Sequence, residues 1–65
     1  MLTDDQKRRF MAAVRSAPMM FGEIATASGL PIAVVLDCWA AGSAAGKLAI
    51  ADDLPGLRYV SEVRA

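Results

Sequence analysis

Sixty-five residues make one domain, residues 1–65, and a chain this short buries only about 60% of its extended surface, so its margin of stability is small. The 55% apolar content excludes a disordered polar tail, although Ala, Gly and Pro supply little of the bulk a core needs. Seven basic and seven acidic residues leave no net charge, which removes a global field for drawing in nucleic acid or an acidic membrane and leaves only local patches.

In chain order, Thr3 or Asp4 caps a first helix and Asp5 sets negative charge beside its unpaired amino-terminal N–H groups. The helix runs to about Ser16, where Pro18 ends it; Phe10, Met11, Val14 and Leu2 form its apolar stripe. Met19, Met20 and Phe21 fall in the connection, where they cover one end of the core or approach a neighbouring strand. A short second helix spans 23–28, with Glu23 in its first turn.

The stretch from Ile24 to Leu48 organises the rest. Gly29 and Leu30 form a tight corner, and Pro31 opens a third helix running to about Ala45, because its missing N–H costs nothing there. Val35 and Trp39 stand four apart on its inner face; Gly42 weakens or curves it by roughly 1 kcal/mol relative to Ala. Gly46 terminates it.

A strand over 47–51 places Leu48 and Ile50 on one face, and residues 52–56 make the turn, with Pro55-Gly56 suited to a type II centre. A second strand covers 57–63. Leu57, Tyr59 and Val63 share one face and Arg58, Val60 and Glu62 the other, and one of the two must pack on the helices because an isolated hairpin is marginal in water. The fold class is α+β: three compact helices with a C-terminal two-stranded hairpin.

In its spacing of Ile24, Gly29-Leu30, Val35, Trp39, Gly46 and Leu48, with a helix before and a hairpin after, the chain resembles the winged helix-turn-helix family over nearly its whole length. Gly42 departs from that resemblance, which expects an apolar core residue there. The resemblance implies DNA binding, with the third helix in the major groove, the wing beside the backbone, and often a homodimer.

The local chemistry points elsewhere. Ile32, Ala33, Val34, Leu36, Asp37 and Ala40 are the outward residues expected early in the third helix, and none is an Arg, Lys, Asn or Gln able to read a base edge in a bidentate contact. Asp37 would also bring negative charge towards phosphates. The main expectation is therefore a noncatalytic regulatory or assembly module that binds a protein partner or a second copy of itself. Ile32, Val34 and Leu36 would exclude water at the contact, Asp37 would orient a basic group, and Arg8 and Arg15 would lie at the rim. The alternative is a transcriptional regulator holding double-stranded DNA mainly by its phosphates, through Lys7, Arg8, Arg15, Lys47 and Arg58, with Arg9 completing the basic run of the first helix.

Enzyme chemistry has the least support. The chain has no histidine, its serines lack a partnering base, and its carboxylates show no paired spacing; Asp52 and Asp53 read as a solvated turn. Cys38 is the lone cysteine and reads as a small buried hydrophobe, so no cofactor, metal or small-molecule substrate is expected. The first residues lack a secretory apolar core, and no uninterrupted apolar run is long enough to span a bilayer; the expected location is cytoplasmic, with no membrane partner.

Overall fold

A computed structural model of the chain describes residues 2–63, with the side chains of Asp53 and Leu54 left aside. Three helices, α1 (Asp4–Ser16), α2 (Phe21–Ser28) and α3 (Ile32–Ala44), precede two antiparallel strands, β1 (Leu48–Leu54) and β2 (Leu57–Glu62). This is a winged-helix-like arrangement.

The local signals explain each boundary. Thr3 caps α1 reciprocally: its Oγ1 accepts from the Gln6 backbone N–H at 3.1 Å, while the Gln6 side-chain Oε1 accepts from the Thr3 backbone N–H at 2.9 Å. The second helix begins earlier than position 23, because the Glu23 carboxylate reaches back to accept from the Met20 amide at 3.2 Å and stabilises an extra half-turn through Phe21. Phe21 thus belongs to α2 and not to the connection. The corner after α2 requires a left-handed residue: Gly29 has φ 73°, and its N–H donates to the Ala25 carbonyl at 3.0 Å. Leu30 then turns back into the core, and the chain bends by 115° between α2 and α3, in the range of a helix-turn-helix.

The third helix runs through Gly42 to Ala44, with Pro31 as its N-cap. No break or irregularity accompanies the glycine. Its absent side chain has a different use: a Cβ at Gly42 would overlap Leu48 Cδ1 and lie 2.6 Å from Leu48 Cγ. The chain returns against α3 at this point, with the Lys47 N–H donating to the Gly42 carbonyl at 2.8 Å.

Both strands differ from their expected bounds: β1 begins at Leu48 and not at 47, and β2 ends at Glu62 and not at 63. β1 continues through Asp52 and Asp53 to Leu54, so those acidic residues belong to the strand and the turn shrinks to Pro55-Gly56. Two residues suffice because Gly56, at φ 82°, supplies the positive dihedral a type II turn needs. A register shift between Ala51 and Leu54 absorbs the extra strand length.

Leu48 pairs with Glu62 and Ile50 with Val60, so the face that packs inward carries Leu48 and Val60, while Leu57 and Val63 remain exposed. The Val60 N–H donates to the Met19 carbonyl at 2.9 Å and ties the α1–α2 connection to the outer edge of β2. Every element contributes to one core: Phe10, Ala13 and Val14 from α1, Ile24 from α2, Leu30 from the corner, Val35 and Cys38 from α3, then Leu48 and Val60. Trp39 is half-buried at its margin, tilted against Phe21 with ring centroids 5.6 Å apart.

Candidate functional site

The exposed surface of α3 is set by the arc its core residues leave free. Val35 and Cys38 turn inward, so Ile32, Ala33, Leu36, Asp37 and Ala40 face solvent. Ile32 and Leu36, four residues apart, are 48% and 43% exposed, among the most open large apolar side chains of the described residues. Val34 differs from the outward position expected of it: it sits beside the core arc and packs half-buried against the hydrophobic cluster. Asp37 is exposed and pairs with no other described residue.

The cations divide into two groups. Three arginines are engaged: Arg9 Nε lies 3.0 Å from Asp5 Oδ2 one helical turn away, and Arg58 Nε lies 3.8 Å from Asp52 Oδ2 across the hairpin. Arg15 forms a two-point fork with Glu62, Nε to Oε1 at 3.0 Å and Nη2 to Oε2 at 2.8 Å, joining α1 to β2. That carboxylate raises the pKa of the Arg15 guanidinium above its ordinary value, through the hydrogen bond first and the charge second. Lys7, Arg8 and Lys47 are exposed and make no ion pair among the described residues. Lys7, Arg15 and Lys47 converge on the rim of one groove, whereas Arg8 and Arg58 lie apart from it.

Cys38 sits under this region. Burial pushes its thiol pKa up and nearby Asp37 pushes it further, against a smaller downward pull from Lys7. The thiol is thereby kept protonated and poorly nucleophilic. Among the described residues no three His, Cys, Asp or Glu side chains gather to hold a metal, and no single helix is long and apolar enough to cross a membrane.

Sequence reasoning did not find the Arg15–Glu62 fork. Its signal was present, since Glu62 shares a β2 face with Val60, but which face meets α1 depends on pairing across 47 positions of sequence.

No protein-family model matches the chain, and no curated protein matches it. Among solved structures it is similar to a crystal structure from Ralstonia eutropha JMP134 described as a "putative dna-binding protein", with a TM-score of 0.72 and 18% sequence identity. The match covers 97% of this chain and 86% of that one. At that identity the likeness is one of fold.

Proposed function

We propose that this chain is a noncatalytic winged-helix regulatory module that binds double-stranded DNA chiefly through the phosphate backbone. The observation that carries the reading is the fold it shares, over 97% of its length, with the structure described as a "putative dna-binding protein". Backbone contact is favoured over base readout because the open face of α3 presents aliphatic groups and one carboxylate, with no bidentate donor. Lys7, Arg8 and Lys47, unpaired among the described residues, are suited to phosphate oxygens, which demand charge but little geometry. Arg15 and Arg58 would first have to leave Glu62 and Asp52, so they rank below those three.

Binding of this kind is sequence-tolerant and steeply salt-dependent. Each phosphate neutralised adds about 0.9 to the slope of log affinity against log salt, so three contacts give a slope of roughly −3. Fluorescence anisotropy with labelled duplexes of unrelated sequence, across a salt series, tests the reading. Lys7→Glu, Arg8→Glu and Lys47→Glu are each expected to weaken the low-salt complex and flatten the slope by about one, with all sequences affected alike. A wild-type chain that forms no salt-sensitive complex, or three charge reversals without effect, would overturn it.

A second reading is favoured by the exposure of Ile32 and Leu36. Two aliphatic side chains half open to water on one helical face suit the centre of a protein contact, with Asp37 orienting a basic group and Arg8 at the rim. A second copy of this chain is the simplest partner. Light scattering over a concentration series should then give a dimer mass, and Ile32→Lys or Leu36→Lys should each return it to the monomer with unchanged helical circular dichroism. A wild-type chain that is monomeric throughout rejects self-association.

A further inference from the structure

The groove that gathers Lys7, Arg15 and Lys47 has a construction of its own. One wall is α1, through Lys7, Phe10, Met11 and Arg15, residues spaced three and four apart along one side of the helix. The facing wall is α3 with its C-cap, and there the side chains are uniformly small: Cys38, Ala41 and Gly42, then Ala45 at the cap. At Gly42 the Leu48 side chain takes up the space, whereas beside the exposed Ala41 and Ala45 the wall stays low and the groove opens. Leu2 and Leu48 close the apolar lining, and the open hollow measures about 420 Å³, at the small end of the range for ligand sites.

Charge is confined to the rim. Arg15 and Glu62 satisfy one another in their fork, which leaves Lys7 on α1 and Lys47 before β1 as the uncompensated charges. Asp37 is the nearest further carboxylate on α3; it acts on Cys38 electrostatically but is not among the lining residues. An apolar floor under two ammonium groups complements one class of small molecule: an apolar body for the floor and an anionic head for the lysines.

We propose that this α1–α3 groove binds an amphipathic monoanion, a carboxylate head between Lys7 and Lys47 with its hydrocarbon body on Leu2, Met11, Ala41 and Ala45, above the buried Phe10 and Leu48. The site is separate from the exposed face of α3. It shares Lys7 and Lys47 with the DNA reading, so its test must separate the two, and Ala41→Phe does so by filling the hollow without touching a charge.

The experiment follows backbone amide shifts of the 15N-labelled full chain on titration with decanoate below its micelle concentration. Decanol and decyltrimethylammonium serve as neutral and cationic controls. Decanoate is expected to shift amides of Phe10, Met11, Cys38, Ala41 and Leu48 selectively, and to bind at least tenfold more tightly than either control. Lys7→Gln with Lys47→Gln should remove that tenfold preference, and Ala41→Phe should abolish the shifts while leaving salt-sensitive DNA binding at its wild-type level. Circular dichroism confirms that each variant is folded. Absence of decanoate shifts in the wild-type chain overturns the site, and equal affinity for decanoate and decyltrimethylammonium overturns the role of the lysines.

Discussion

Phe10→Ala is expected to cost about 3–5 kcal/mol, the range for removing a buried aromatic ring. The ring is 2% exposed and belongs to the one cluster that all five elements share, so no second core is available to hold the remainder together. A domain of this length has roughly 3–10 kcal/mol of total stability, and the substitution removes from about a third of it to all. Urea unfolding followed by circular dichroism checks this: the midpoint should fall sharply, or the folded baseline should be lost. Met11, adjacent in sequence but only half-buried, provides the control, and Met11→Ala should leave most of the transition in place. A loss under about 1 kcal/mol for Phe10→Ala would mean that the neighbouring side chains collapse into the space, contrary to the packing described.

The same core shows what the sequence could disclose. Helix positions were legible because their signals are local: a Thr cap with Gln three residues on, a glycine able to take positive φ after α2, and a proline opening α3. The early start of α2 was also written locally, in Glu23 three residues after Met20, but methionine is not a capping residue and the cue was half hidden. The hairpin was harder. Leu57, Tyr59 and Val63 are together more apolar than Arg58, Val60 and Glu62, yet it is Val60 that reaches the core. That choice is fixed by partners far away in the chain: the pairing of Ile50 with Val60, the Met19 carbonyl on the Val60 amide, and the fork from Arg15 to Glu62. Alternation supplies two faces and leaves the selection between them to tertiary contact.

Candidate site residues follow the same division. That the early outward positions of α3 carry no Arg, Lys, Asn or Gln for a base edge is a property of composition. Which cations remain available was not legible, because Arg15 and Arg58 are engaged by acids brought close only when the hairpin folds over α1 and onto itself. The α1–α3 groove is further still from the sequence. Cys38, Ala41, Gly42 and Ala45 read as weak core positions until α1 and Leu48 are seen beside them.

Gly42→Ala places helix propensity and packing in direct opposition. Propensity alone stabilises an interior helical site by about 1 kcal/mol when Gly becomes Ala. Here the new methyl would stand 2.6 Å from Leu48 Cγ and overlap Cδ1. Leu48 is 5% exposed, and the backbone before it is pinned to α3 by the Lys47–Gly42 hydrogen bond of 2.8 Å, so the side chain cannot swing clear without shifting β1. Overpacking of this kind costs about 1–3 kcal/mol, so the two effects leave a net loss of up to about 2 kcal/mol. Gly22 in α2 meets nothing within 4 Å at its would-be Cβ, and there the same change should stabilise by about 0.4–1 kcal/mol. One substitution type therefore gives opposite signs at two helical positions of one chain. The double variant Gly42→Ala with Leu48→Ala isolates the cause: the methyl should cost less, or stabilise, once the leucine is gone, with a coupling of about 0.5–3 kcal/mol. If Gly42→Ala alone raised the urea midpoint, propensity would outweigh the contact, and the close approach of β1 to α3 would have to be looser than described.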